Sequence, residues 1–181
     1  MAAKKRLILI LGPPRVGKTT VVQKLLSLSS IRFGGFYTLA ELSGDGRNRI
    51  FKLVTLDRER QNVPEPSVRF LEPSLFKGAS ALNLNQLESR GIEGLRVAKL
   101  KSDVVVIDEL GFLQLYSSLF RVVLQDLLNS QHVLLVTGHS ENSELIEKLG
   151  NREDSQIFML TKENRSYLAE TICKHIHALF G

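Results

Sequence analysis

The sequence predicts an α/β fold of three layers, with a mostly parallel central sheet, helices on both of its faces and an antiparallel hairpin. Three observations carry this. Short apolar runs at Leu7–Leu11 and residues 104–107, with 132–137 as a third, have the length and near-unbroken hydrophobicity of strands buried on both faces. Each is followed by a segment of helical periodicity, and strands that alternate with helices are joined by crossovers, which makes neighbouring strands parallel. By contrast, Phe33–Leu42 and Arg49–Leu56 are separated by Ser43-Gly-Asp-Gly46, turn chemistry that joins antiparallel neighbours.

Taken in order, Leu7–Leu11 is stopped by Gly12, Pro13 and Pro14. Val21, Val22, Leu25 and Leu26 then give a helix over about residues 17–30. The hairpin follows. Residues 57–81 carry Pro64, Pro66 and Pro73 without a clean period and read as irregular and mobile. Leu84, Leu87, Leu95 and Ala98 fit a helix over 85–100, an imperfect one because of Gly91 and Gly94. The β-branched run 104–107 suits a central parallel strand. Leu119, Phe120, Val123, Leu127 and Leu128 mark the next helix, 132–137 a strand, 142–149 a short helix and 156–160 a last strand. Leu168, Ile172, Ile176 and Leu179 form the apolar stripe of a terminal helix.

With 181 residues, 43% apolar and 24% charged, the chain has the size and composition of one domain, 1–181, with a sizeable core. One cysteine, Cys173, excludes an intrachain disulfide and reads as a buried thiol on the last helix. The formal charge of +5 is scattered, with a single tight cluster at Lys4, Lys5 and Arg6, and reads as solubility. No aromatic platform or basic helix favours a nucleic-acid partner. The first apolar run is too short for a secretory signal, and no run approaches a membrane span, so the expected location is cytoplasmic. The sequence identifies no protein partner and fits a monomer or weak oligomer.

Gly12-Pro-Pro-Arg-Val-Gly-Lys-Thr19 matches the phosphate-binding loop pattern and lies between a predicted strand and a predicted helix, the context that motif requires. Gly12 and Gly17 permit a tight turn, so that successive backbone N–H groups of the loop converge on the β-phosphate, and the expected nucleotide-binding stretch is Gly12, Pro13, Pro14, Arg15, Val16, Gly17, Lys18, Thr19 and Thr20. Lys18 reaches the β- and γ-phosphates as a mobile point charge, and the Thr19 hydroxyl is offered to Mg²⁺.

The second half is Val104-Val-Val-Ile-Asp-Glu109, a strand ending in two carboxylates at the sheet edge where ligands bind in open α/β folds. Asp108 is the expected holder of Mg²⁺. Glu109 is either the base that orients and deprotonates an attacking water or a solvated carboxylate beside the metal. Thr137, at the end of a neighbouring strand, is either a sensor of the γ-phosphate or a cap of the following turn. His139, without companions at metal-ligand spacing, reads as solvated.

Together these residues resemble the cancer-related nucleoside-triphosphatase family. The resemblance rests on the loop through Thr20; on Gly35-Phe-Tyr-Thr38 followed by Phe51-Lys-Leu-Val-Thr-Leu56; on Val106-Ile-Asp-Glu-Leu-Gly111 with Ser118-Leu-Phe-Arg121; and on Leu160-Thr-Lys-Glu-Asn-Arg165. It implies a phosphate-loop NTPase fold with an extra strand between the loop strand and the Asp-Glu strand. It further implies Mg²⁺-dependent hydrolysis of ATP, GTP, CTP or UTP to the diphosphate and phosphate, with Lys18 and Thr19 on phosphates and metal, Glu109 as base, and Arg121, Asn164 and Arg165 helping to build or close the site. The chain departs from the family pattern at Arg15, where glycine is usual, and at Gly111-Phe-Leu-Gln-Leu115, where Gly-Lys-Met-Glu-Leu is usual; it ends the later strand in Val136-Thr137-Gly138 rather than Thr-Ile-Pro.

Two other functions fit the same loop. A small nucleotide or metabolite kinase would need an acceptor pocket and a lid, for which Arg58, Arg60 and Arg69 are the candidates. A nucleotide-dependent binding module would use Lys4, Lys5 and Arg6 on a partner. No Asn-Lys-x-Asp element is present, which argues against strict GTP specificity.

Overall fold

The computed structural model describes residues 4–42, 49–56, 68–71, 81–111, 117–139 and 144–181. Along the chain these form β1 (Leu7–Leu11), α1 (Lys18–Leu28), β2 (Phe33–Leu42), β3 (Arg49–Leu56), β4 (Val68–Leu71), α2 (Ala81–Lys101) and β5 (Val104–Asp108). There follow α3 (Ser118–Asn129), β6 (Val133–Gly138), α4 (Glu144–Gly150), β7 (Ser155–Met159) and α5 (Leu168–Phe180). The sheet order is β4-β3-β2-β5-β6-β1-β7. From β2 to β7 every neighbouring pair is parallel, while β3 is antiparallel to both β2 and β4.

Strands β1, β5 and β6 are apolar almost throughout because both of their faces are covered. Leu7, Leu9, Leu11, Val105, Ile107, Leu134 and Val136 pack into one core with α2, α3 and α4. The alternate residues Ile8, Ile10, Val104, Val106, Val133 and Leu135 pack into a second core with α1 and α5. Period-two alternation thus feeds two cores from the same strands. The expected stripe on the terminal helix lies in the second core, with Leu168, Ile172 and Ile176 buried and Leu179 packed beside them; Cys173 is buried there too.

The extra strand between the loop strand and the Asp-Glu strand is β6, which pairs with β1 on one side and β5 on the other. The hairpin occupies Phe33–Leu42 and Arg49–Leu56 as expected, with Gly35 opposite Leu56. Gly35 is required there: its φ is +101°, and a Cβ would stand 2.2 Å from the Val106 carbonyl oxygen. One reading needs correction. The segment 57–81, read as irregular, contains the strand β4, whose four residues pair with Ile50 to Leu53. It is an edge strand flanked by prolines, where unpaired backbone is tolerated, and its four residues are too few to display a period. The remainder of that segment lies outside the described residues, as do the turn at 43–48 and residues 142–143 of the short helix.

The basic cluster sits at the start of β1, the edge opposite the phosphate loop. Arg6 donates to the Leu128 carbonyl at 2.9 Å and pairs with Asp154 at 2.9 Å; Lys5 donates to the Glu153 carbonyl at 2.8 Å and Lys4 to that of Leu179 at 3.4 Å. These cations tie the edge of the fold together. Among the described residues no helix is long and apolar enough to cross a membrane.

Candidate active site

Register places the candidate residues along one edge. Leu11 pairs with Gly138 and with Met159, Ile10 with Thr137, and Tyr37 with Asp108, so the ends of β1, β5, β6 and β7 lie level with one another where the loop Gly12 to Thr19 departs, beside the middle of β2. Gly12 is anchored by its N–H donating to the Gly138 carbonyl at 3.3 Å, and a Cβ there would meet the Leu160 carbonyl oxygen at 2.7 Å. Val16 is buried in the second core and pins the loop from below, while Pro13, Pro14 and Arg15 are exposed at its crest. Arg15 takes φ 61°, the left-handed region, at a cost of about 1 kcal/mol or more for a residue with a Cβ. The departure from glycine is therefore accommodated by strain and an outward side chain.

Gly17, at φ 110°, caps α1 without a side-chain hydrogen bond, and the first turn of α1 carries no acidic residue. The amides of that turn remain available to an anion. Lys18 differs from the mobile cation the sequence suggests. Its side chain is 5% exposed, and Nζ donates to the carbonyls of Gly12 at 3.1 Å and Pro13 at 3.2 Å while standing 3.4 Å from Glu109 Oε2. Thr19 is half-buried and Thr20 exposed.

Asp108 is fully buried. Its Oδ1 accepts the Thr137 hydroxyl, its backbone carbonyl accepts the Thr38 hydroxyl at 2.9 Å, and its Oδ2 is buried without a hydrogen-bond partner. Burial pushes its carboxyl up to about 6 from the usual 3.8; Thr137, Thr19 and the Lys18 charge pull it back, and Glu109 adds to the rise. An orphaned carboxylate oxygen beside a threonine hydroxyl is a hard, all-oxygen donor set of the kind Mg²⁺ takes. Thr137, left open between sensor and cap by the sequence, has its hydroxyl on Asp108, while its carbonyl accepts the Leu110 N–H at 2.8 Å.

A pH prediction follows from Asp108. Its folded-state value lies above that of the unfolded chain, so the folded protein holds this proton more tightly; the contribution is full below about pH 4 and is lost as pH rises through 6. Without divalent cation, Asp108→Asn is expected to stabilise the protein at pH 7.5 by about 1–2 kcal/mol. This is less than the roughly 3 kcal/mol lost by the ionised carboxylate, because the new amide buries an N–H without an acceptor. Urea unfolding at pH 7.5 and pH 4 measures it: the advantage should vanish or reverse near pH 4, and a variant weaker than the parent at both would refute the assignment.

Of the remaining candidates, Asn164 is engaged within its own turn: Oδ1 accepts the Thr161 N–H at 2.8 Å and Nδ2 donates to the Met159 carbonyl at 2.7 Å. That turn follows Leu160, whose N–H donates to the Leu11 carbonyl at 2.7 Å, so Asn164 organises a turn beside the end of β1. Arg165 is exposed on the same turn, and Arg121 is exposed on α3. Two further contacts complete the site. Thr38 reaches the Asp108 carbonyl, and His139 Nε2 lies 2.5 Å from Glu109 Oε1. Neither has a local sequence signal, since each depends on which strands become neighbours.

Comparison with known proteins identifies the family. The model of the NTPase family matches residues 7–173. Nucleoside-triphosphatase THEP1 of Thermotoga sp. (strain RQ2) is 37% identical over 166 residues, covering 91% of this chain and 92% of that protein. The cancer-related nucleoside-triphosphatase of Homo sapiens is 34% identical, over 92% and 94% of the two chains. The crystal structure of THEP1 from the hyperthermophile Aquifex aeolicus superposes with a TM-score of 0.70 at 25% identity, covering 91% of this chain and 95% of the other. A phosphate loop at the end of β1, an Asp-Glu pair at the end of β5 with β6 between them, and similarity across nine-tenths of the chain lead to one conclusion: this protein belongs to the NTPase family.

Proposed function

We propose that this enzyme hydrolyses nucleoside triphosphates, without strict preference among ATP, GTP, CTP and UTP, to the diphosphate and inorganic phosphate, with Mg²⁺ as cofactor. The observation that carries this reading is the convergence of the Lys18 ammonium, the orphaned Asp108 oxygen and the Glu109 carboxylate at one sheet edge. Phosphoryl transfer to water requires charge neutralisation, an in-line water and a group to take its proton. Lys18 and the amides of the first turn of α1 neutralise and orient the β- and γ-phosphates. Thr19 and Asp108 would hold Mg²⁺, which supplies further neutralisation of the phosphate oxygens. Glu109 accepts a proton from water at Oε2 as the water oxygen bonds to the γ-phosphorus and the bond to the β–γ bridging oxygen breaks. Thr137 and Thr38 keep Asp108 in place from either side.

Of the lid candidates for the kinase alternative, Arg58 and Arg60 lie outside the described residues and Arg69 stands on the edge strand β4. Phosphate release from all four ribonucleoside triphosphates, with mass analysis of the products and no added acceptor, tests the proposal. Equimolar diphosphate and phosphate, abolished by excess chelator, is the expected result. Turnover only when a phosphoryl acceptor is supplied, or full activity in chelator, would overturn it.

A further inference from the structure

Glu109 stands one residue beyond β5 and His139 one beyond β6, and these two strands are parallel neighbours with Ile107 opposite Val136. The Leu110 N–H on the Thr137 carbonyl at 2.8 Å draws the segment after β5 against the end of β6. The Glu109 carboxylate consequently has one nitrogen on each oxygen: His139 Nε2 at 2.5 Å from Oε1 and Lys18 Nζ at 3.4 Å from Oε2.

The two contacts are not equivalent. The Lys18 ammonium is the group the phosphates require, so it cannot also fix the carboxylate while a triphosphate occupies the loop. His139 lies outside the loop and makes no demand on the phosphates. A glutamate that is 31% exposed would otherwise sample several rotamers, and a base is effective only when its lone pair is held within hydrogen-bond reach of the water. An Nε2–H on His139 donates to Oε1 and leaves Oε2 for the water proton. We propose that His139 is the positioning residue of Glu109, holding Oε1 so that Oε2 faces the attacking water.

The inference rests on the reading of Glu109 as base, and the experiment separates the two. Steady-state kinetics with Mg²⁺ and ATP would be measured on the parent, His139→Ala, His139→Gln, Glu109→Gln and the Ala/Gln double variant. His139 is 42% exposed, so all of these should fold, with thermal melts as the check. His139→Ala should lower kcat about 10-fold with KM within about twofold, the signature of a contact that matters in the transition state and not in binding. Glutamine places an N–H near the position of Nε2 and should recover kcat to within about threefold of the parent. On the Glu109→Gln background the alanine change should have no further effect. The proposal is overturned by parental kcat in His139→Ala, by a rise in KM alone, by a glutamine variant no better than alanine, or by an equal loss on the Glu109→Gln background. Parental kcat in Glu109→Gln would instead remove the base reading itself.

Discussion

Replacing Lys18 by alanine is expected to take turnover below detection, a fall of at least about 10³-fold, while the fold survives. The ammonium is the one cation that the loop itself brings within contact of Glu109, and it lies on the carbonyls of Gly12 and Pro13, the rim of the cradle in which phosphates would sit. Its loss removes a preorganised positive charge from a water-poor site, where such a charge counts most. Stability should fall only by about 1 kcal/mol, the scale of hydrogen bonds lost from the loop. Lys18→Arg should fail nearly as badly, because a planar guanidinium does not replace a compact ammonium held by two loop carbonyls. Circular dichroism and phosphate release on the same preparations decide the matter: a folded alanine variant that releases phosphate at the parental rate refutes the assignment of the loop.

The architecture was legible wherever burial on two faces forces a distinctive pattern. Strands β1, β5 and β6 must be apolar at successive positions to feed both cores, and the sequence shows it. Strand β4, at the edge and four residues long, carries no such constraint. The helix read over 85–100 is present, and its Gly94 has a packing role. Gly91 and Gly94 weaken the helix by propensity, yet α2 packs closely over β2: a Cβ at Gly94 would approach the Gly35 carbonyl oxygen at 3.3 Å, and one at Gly34 would meet the Ala98 Cβ at 2.7 Å. Packing overrides propensity here, and the helix extends over Ala81–Lys101.

The site divides in the same way. Lys18, Thr19, Asp108 and Glu109 were readable because each belongs to a contiguous motif anchored at a strand end. The contacts that position them were not, since Thr38 meets Asp108 only because β2 pairs with β5, and His139 meets Glu109 only because β6 lies beside β5. Burial of Lys18 and Asp108 was equally invisible, because the motif specifies identity and spacing and not depth. That burial leaves Asp108 with an unpartnered oxygen and a carboxyl raised to about 6.

The distinction between hydrolysis and mere binding rests on Glu109. Among the described residues its carboxylate adjoins both the Lys18 ammonium and Asp108, the groups proposed to hold phosphate and metal, and Glu109→Gln keeps its shape while removing the charge that would make it a base. The rate of the chemical step should fall about 10²-fold or more. Affinity should persist or rise slightly, because the groups assigned to phosphate and metal are untouched and one negative charge near the γ-phosphate is gone. The most direct measurement is single-turnover hydrolysis alongside equilibrium triphosphate binding on one preparation of Glu109→Gln. A collapsed rate with retained affinity is the predicted result; parental hydrolysis would contradict the account, and joint loss of rate and affinity would move Glu109 from the base to the groups that hold metal or phosphate.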